Sequence, residues 1–351
     1  MKRGFRLLGW ALLLPGATSS CGGDIGGDAA VATASSGDGG GGASAVTSVS
    51  SGGGEGGGAT GVGSGGAGAG PTGECAQLAP GPLAPTLVTD VFDGSADFAF
   101  DGRGHLVAKQ GPNLIRYDAT GQTSNFASLP GTVLGLRYRP DGTLVAARPD
   151  QGAVAQISTT GIVDDYVEAL QAPNGLSADT DGNVWATERA GNRVIRLAPD
   201  ATVEVIASGE PEVSQPSGVV FDPARKVVFY TNSAAGEIRR IDLAIAGALP
   251  ALVSTVPSAV LDGLVLDTCG HLYTIDSKDR GLYRVQLDAG GAALGEPELL
   301  ATFPTSVANA QFGSGPGFNA KTLYVGGAAG AIHAVALGIV GAPVPAPPEA
   351  P

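Results

Sequence analysis

The sequence of 351 residues contains few of the side chains on which most enzyme mechanisms and metal centres depend. It has three histidines, three cysteines and one methionine, and only 5% of its residues are aromatic. It contains no CxxC pair, HExxH motif or nucleophile elbow, the patterns typical of thiol redox proteins, zinc peptidases and serine hydrolases. The chemistry open to this chain is therefore limited.

A basic surface is missing as well. The 33 acidic residues outnumber the 20 basic ones, which gives a formal net charge of −13. No patch rich in lysine and arginine offers a footprint for phosphates, so we expect no nucleic-acid partner. An acidic surface suits an exported protein, or one that collects cations.

Residues 1–21 have the pattern of a targeting segment. Three basic residues precede an apolar run at 7–14, which is too short to span a bilayer as a helix. Small residues then lead to Cys21, and this arrangement resembles a bacterial lipoprotein signal, although Thr18 stands where that class usually carries a leucine-like residue. The resemblance implies that Cys21 is lipidated and that the lipid makes the only membrane contact. Ordinary signal cleavage is the alternative, and both interpretations predict a protein of the cell envelope, in the periplasm, at the outer membrane or on the cell surface.

Two further segments lack the apolar periodicity of a folded domain. Residues 22–74 consist almost wholly of Gly, Ser, Ala, Thr and Val, so they cannot bury a core and should form a flexible, disordered tether. Residues 342–351 form a proline-rich tail. The folded domain is therefore expected at 75–341.

This domain is built from repeats. A unit of two short apolar segments joined by a polar turn occurs six times, at 94–109, 133–148, 173–188, 216–232, 261–276 and 307–327. The residues that close the first segments lie 38 to 46 positions apart: Asp101, Arg139, Asp179, Asp222, Asp267 and Gly313. Each unit is followed by a third short strand-like segment, and the first five units by a fourth.

The strand missing from the sixth unit has a counterpart at 86–92, ahead of the first unit. Six four-stranded units closed by an N-terminal strand predict an all-β, six-bladed β-propeller. Closure removes the exposed sheet edges that an open stack would leave. Seven blades are the alternative, and we expect a monomer.

The cysteines fit this architecture. Cys75 lies about ten residues before the closing strand, and Cys269 lies in the turn between the first two strands of the fifth blade. Both positions belong to the same face of a propeller, so we predict a Cys75–Cys269 disulfide in an oxidising compartment.

A first ring of candidate site residues lies where the innermost strands begin. Five positions before the closing residues stand Ala96, Leu134, Asn174, Ser217, Asp262 and Ala308. Three consecutive blades thus supply oxygen-bearing side chains, and each of these is followed by a glycine that allows close backbone approach. Converging oxygen ligands suit a hard cation such as Ca²⁺ or Mg²⁺. The alternative is that these residues only form turns at the start of a strand.

A second ring lies at the ends of the second strands, at Lys109, Arg148, Glu188, Asn232 and Asp276. Its acids and its amide fall on the same blades as the first polar residues, and its bases fall opposite. This ring could form a rim that orients a polar substrate, or it could be a solvated edge.

The repeats resemble a known family, the gluconolactonase and senescence-marker-protein group of six-bladed propellers. The resemblance covers about 82–341, and it is carried by Pro-Asn-Gly at 173–175, Asp-Gly at 262–263, FDPARKVVFYTN at 221–232 and the closing segment at 311–338. It implies lactone hydrolysis of a small molecule and a divalent cation, Ca²⁺ first, with Mg²⁺, Mn²⁺ or Zn²⁺ as alternatives.

In that family a Glu from blade one, an Asn from blade four and an Asp from blade five hold the cation, and an Asn from blade three lies near the water or substrate. Transferred by position, Asp262 is a metal ligand and the catalytic base or acid, and Asn174 is the blade-three residue. Ser217 replaces the blade-four Asn. Blade one lacks the Glu, and Asp97, the candidate ligand there, should point away from the channel unless a bulge intervenes.

Two other functions stay open. The propeller could be a non-catalytic binding module for an envelope ligand, similar to NHL-type repeats. Blade three also resembles the streptogramin lyase propellers at NVWATE and GNRVIRL, but without a histidine in the pocket. His105, His271 and His333 are not expected at the functional face, so a histidine base is not predicted.

Overall fold

A computed structural model describes residues 73–93 and 96–343. Within these ranges, 24 strands form six four-stranded antiparallel sheets, one for each repeat. In the sixth sheet the strand β1 (Thr86–Thr89) pairs with β24 (Ile332–Ala336), the last strand of the described residues. The structure thus confirms the all-β six-bladed propeller closed by an N-terminal strand.

The strands of each blade run from the channel outwards. Blades one to three contain β2 (Ala99–Phe100), β3 (His105–Gln110), β4 (Asn113–Asp118) and β5 (Thr123–Ser128); β6 (Leu136–Tyr138), β7 (Leu144–Arg148), β8 (Ala153–Ile157) and β9 (Val163–Val167); β10 (Pro173–Ala178), β11 (Val184–Glu188), β12 (Arg193–Leu197) and β13 (Val203–Ser208). Blades four to six contain β14 (Pro216–Asp222), β15 (Val227–Asn232), β16 (Glu237–Asp242) and β17 (Ala251–Thr255); β18 (Leu261–Leu266), β19 (Leu272–Asp276), β20 (Gly281–Val285) and β21 (Glu298–Thr302); β22 (Asn309–Phe312), β23 (Thr322–Gly326), β24 and β1. The described residues also include short 3-10 helices at Gly73–Ala76 and Pro149–Gln151.

The turn after each innermost strand explains why the repeat so often closes on an aspartate. One carboxylate oxygen of Asp179 accepts hydrogen bonds from the backbone N–H groups of Asp181 and Asn183, at 3.0 and 2.9 Å. Its other oxygen accepts the indole N–H of Trp185 at 3.1 Å. A short acceptor that satisfies the N–H groups of its own turn stabilises that turn locally.

The hydrophobic core lies between the blades. In the part of the chain that the structure describes, six clusters of buried apolar side chains each combine residues of two neighbouring sheets. One of these clusters joins blade six to blade one. The second strands are therefore covered on both faces, and β11, β15, β19 and β23 are buried along their whole length. A strand covered on both faces is apolar almost throughout rather than alternating.

A disulfide links Cys75 to Cys269, with 5.6 Å between their Cα atoms. It ties the segment before β1 to the face at which the first two strands of blade five turn; we call this the lower face. The ion pair between Lys321 and Glu74 holds the same segment to blade six.

The predicted signal segment, Cys21, the tether up to residue 72 and the tail beyond residue 343 lie outside the described residues. Among the residues that are described, no helix is long and apolar enough to cross a membrane.

Candidate active site

The innermost strands of blades three, four and five begin at the opposite end of the channel, on the upper face. Each contains a register irregularity next to its glycine. A Cβ atom on Gly175 would overlap the backbone carbonyl oxygen of Ser217, and one on Gly218 would overlap that of Asp262. The glycines therefore allow neighbouring blades to approach each other closely, as expected from their place directly after Asn174 and Ser217.

This close packing brings three predicted site residues into one hydrogen-bonded series, the polar arc of Asn174, Ser217 and Asp262. Asn174 Nδ2 donates to Ser217 Oγ at 3.0 Å, and Ser217 Oγ donates to Asp262 Oδ1 at 2.6 Å. Asn174 and Ser217 are almost completely buried. The arc therefore presents the Asp262 carboxylate from a rigid support formed by three blades.

Asp262 lies in an electrostatic environment that suits proton transfer. Burial among the surrounding blades raises its pKa from 3.8 to about 6, and the residue stays partly exposed. The hydrogen bond from Ser217 and the charge of Arg189 lower this pKa, whereas the charge of Asp97 raises it. A carboxylate whose pKa lies close to neutrality can accept a proton and return it near neutral pH.

Arg189 is a residue that the repeat comparison missed. It follows Glu188 directly, in the exposed connection between β11 and β12 on the upper face. Its charge lowers the pKa of Asp262, which lies on another blade, 73 positions further along the chain. The sequence around Arg189 therefore gave no sign of this effect.

The candidate blade-one ligand, Asp97, is turned towards blade two. Its side chain is fully buried, and it accepts hydrogen bonds from the backbone N–H groups of Phe98 at 2.8 Å and Leu136 at 2.9 Å. Arg137 forms an ion pair with it at 2.5 Å. Burial raises the pKa of Asp97, and Arg137 and the backbone donors counteract that effect. Its role as a cation ligand stays a prediction.

Three members of the second predicted ring hold loops of the upper face. Glu188, Asn232 and Asp276 are each at most 1% exposed. Each accepts a hydrogen bond from a backbone N–H of the segment leading into its own blade: Glu188 from Gln171 at 2.6 Å, Asn232 from Ser214 at 3.0 Å and Asp276 from Val260 at 2.9 Å. Glu188 also forms an ion pair with Arg193.

The two basic members of this ring differ from each other. Arg148 is partly exposed and lies 3.5 Å from Asp165. Lys109 is buried, and burial lowers its pKa. Contact of any member of the second ring with a substrate stays a prediction.

The polar arc contains donor atoms of the chemical type that a hard divalent cation binds. Within 73–93 and 96–343, no group of three His, Cys, Asp or Glu side chains could hold a metal ion. The arc instead offers amide, hydroxyl and carboxylate oxygens, the ligands that Ca²⁺ and Mg²⁺ accept. Asp262 is desolvated, and among the described residues its carboxylate accepts one hydrogen bond, from Ser217, and forms no ion pair. A desolvated carboxylate of this kind favours an added positive charge.

Comparisons with known proteins identify the family of the chain and agree with its fold. The family model described as the SMP-30/Gluconolactonase/LRE-like region matches residues 106–328. The pentonolactonase XacC of Haloferax volcanii is 29% identical over 207 residues, which cover 56% of this chain and 69% of that protein.

Two solved structures share the fold. A gluconolactonase of Xanthomonas campestris aligns with a TM-score of 0.58 at 18% identity, covering 74% of this chain and 97% of that one. The calcium-binding protein regucalcin of Agrobacterium tumefaciens aligns with a TM-score of 0.59 at 15% identity, covering 76% and 97%.

Proposed function

This chain belongs to the SMP-30/Gluconolactonase/LRE-like family, and on that premise we propose that it hydrolyses a small-molecule lactone or ester. The observation that carries the proposal is the polar arc, in which Ser217 holds the desolvated Asp262 carboxylate at 2.6 Å. The similarity to a pentonolactonase supports a cyclic ester as the substrate class.

In the proposed mechanism Asp262 is the base and then the acid. Its carboxylate accepts a proton from a water molecule as the water oxygen bonds to the lactone carbonyl carbon. When the ring C–O bond breaks, the protonated Asp262 returns that proton to the departing alkoxide, and the product is a hydroxy acid. Ser217 donates to one oxygen of Asp262, which leaves the other oxygen for the water.

We propose that Asn174, Ser217 and Asp262 also hold a divalent cation. When bound, the cation would polarise the lactone carbonyl. Ca²⁺ is the first candidate, because the donors are all oxygens and a related fold is that of a calcium-binding protein. Asp97 is paired with Arg137, so Asp262 is the carboxylate of the proposed site. We therefore expect the cation to bind more weakly than it would to a site with two carboxylates.

Hydrolysis of a panel of aldonolactones, followed by acid release at constant pH, tests the proposal. The Asp262→Asn variant removes the base and keeps the side-chain shape. Asp279→Asn is the matched control, because it removes an exposed carboxylate from the same blade and face. Activity should fall about 10²–10⁴-fold in the first variant, the range that general acid–base catalysis supplies, and persist in the second. Equal activity in both variants would refute the role of Asp262.

A non-catalytic binding module is the second candidate function. The observation that favours it is the Asp97–Arg137 ion pair, which engages the carboxylate closest to the blade-one position. A ligand that binds only the folded state raises the melting temperature. A calcium-dependent rise that disappears in Asp262→Asn, without turnover of any lactone or ester, would favour this function over hydrolysis.

We further propose that a lipid on Cys21 holds the domain at the cell envelope through the segment 22–74. Cys21→Ser should release the protein from the membrane fraction of the expressing cells. Retention of the variant in that fraction would contradict the lipid anchor.

A further inference from the structure

Two threonines connect the polar arc to the second strands behind it. Thr231 Oγ1 accepts a hydrogen bond from the backbone N–H of Gly218 at 2.8 Å and donates to the backbone carbonyl of Asp262 at 3.1 Å. Thr187 Oγ1 accepts from the N–H of Gly175 at 2.9 Å and donates to the carbonyl of Ser217 at 2.5 Å. Each hydroxyl thus links the glycine of its own blade to the arc residue of the next blade.

Both threonines are fully buried, with 0% exposure. A buried hydroxyl that accepts one hydrogen bond and donates another has its hydrogen-bonding capacity largely satisfied. Removing such a hydroxyl leaves a backbone N–H and a carbonyl oxygen without partners, which destabilises that arrangement of the backbone. The surrounding backbone would shift rather than leave both groups unpaired.

The two threonines lie on blades three and four, the blades that also carry Asn174 and Ser217. They stand directly before Glu188 and Asn232, the last residues of β11 and β15. The residues in the same position on the other four blades carry no hydroxyl, and they are Ala108, Ala147, Ile275 and Val325. If the propeller fold itself required a hydroxyl at this position, the other four blades would also carry one.

We infer that Thr231 and Thr187 are positioning residues, which set where Asp262 and Ser217 present their side chains to the substrate. This inference rests on the proposed function, because it assigns Asp262 the role of the reacting base. The innermost strand of blade five is fastened at its bulge by the threonine of blade four, so the Asp262 carboxylate and the Ser217 hydroxyl keep their 2.6 Å separation.

The test compares three variants of the full chain. Thr231→Val removes the hydroxyl and keeps the shape of the side chain, and Thr231→Ser restores the hydroxyl. Thr322→Val is the matched control, because Thr322 is also buried on a second strand, and among the described residues its hydroxyl makes no hydrogen bond. Thr231→Ala replaces Thr231→Val if valine prevents folding.

The first readout is the crystal structure of each folded variant, in which the distance between Ser217 Oγ and Asp262 Oδ1 is measured. This distance is 2.6 Å in the parent. It should lengthen in Thr231→Val, because the backbone of Asp262 loses its hydrogen bond from Thr231, and it should keep the parent value in Thr231→Ser and Thr322→Val. An unchanged distance in folded Thr231→Val would overturn the inference and leave Thr231 a merely structural residue.

The second readout is lactone hydrolysis. Misplacement of a reacting group by about 1 Å can lower the rate about 100-fold, so kcat should fall by up to that factor in Thr231→Val while KM changes little. If the parent hydrolyses no lactone, the proposed function fails, and the distance between Ser217 Oγ and Asp262 Oδ1 alone decides whether Thr231 positions Asp262.

Discussion

Replacing Asp262 with asparagine should make the protein more stable at neutral pH while it abolishes the proposed base. Burial raises the pKa of this carboxyl from 3.8 to about 6. Each pH unit of difference corresponds to about 1.36 kcal/mol, so the ionised carboxylate costs the folded state up to about 3 kcal/mol near pH 7. Asparagine has no such cost, and it can still accept the hydrogen bond from Ser217 Oγ.

The raised pKa of Asp262 determines in which direction the stability difference changes with pH. The raised pKa means that the folded protein binds the Asp262 proton more tightly than the unfolded chain does. The resulting stabilisation is fully present below about pH 3.8 and is lost as the pH rises through about 6. The stability difference between Asp262→Asn and the parent should therefore be smallest near pH 4, grow between pH 4 and 6, and level off above that.

Urea unfolding of both proteins from pH 4 to 8, with a chelator present so that no cation offsets the charge, measures the difference. The exposed Asp279→Asn is the control for charge removal, and its stability difference from the parent should stay near zero across this range. A stability difference for Asp262→Asn that is constant with pH would refute the argument that Asp262 is desolvated.

Four other changes test the contacts around the site. Gly218→Ala places a Cβ against the carbonyl oxygen of Asp262, so thermal unfolding should show a loss of about 2 kcal/mol or more; Gly295→Ala, where a Cβ meets nothing within 4 Å, should change little. Arg189→Ala removes a charge that lowers the Asp262 pKa, so the acid limb of the pH–rate profile should move to higher pH, and a shift to lower pH would contradict this. Arg137→Met leaves the buried Asp97 without its cation and should cost about 3–5 kcal/mol in urea unfolding; a neutral effect would show that the pair contributes nothing. Cys75→Ser opens a link between residues 194 positions apart and should lower stability by about 2–5 kcal/mol, whereas an equal effect of reductant on variant and parent would argue against the disulfide.

Several parts of the site were predictable because they depend on local sequence. The turns that close the innermost strands require an acceptor such as Asp179, and the bulges at Gly175 and Gly218 require a residue without a side chain. Such features recur at the same place in most of the repeats. Aligning the copies therefore placed Asn174, Ser217 and Asp262 at the start of adjacent strands.

Other parts depend on which blades meet. The direction of Asp97 follows from its contacts with Leu136 and Arg137 on the next blade, about 40 positions away. The burial of Glu188 follows from the loop that folds over it. Neither contact can be predicted from the local sequence around the residue that makes it.

The sequence by itself determined the number of blades, the closing strand and the upper-face location of the polar arc, because strand periodicity and turn chemistry are local and are repeated six times. The tertiary structure alone decided how the arc is charged and held. The raised pKa of Asp262, the pairing of Asp97 with Arg137 and the threonine links at Thr187 and Thr231 arise from hydrogen bonds and burial between neighbouring blades. These effects act over a few ångströms between residues distant in the chain, so they exist only once the ring has closed.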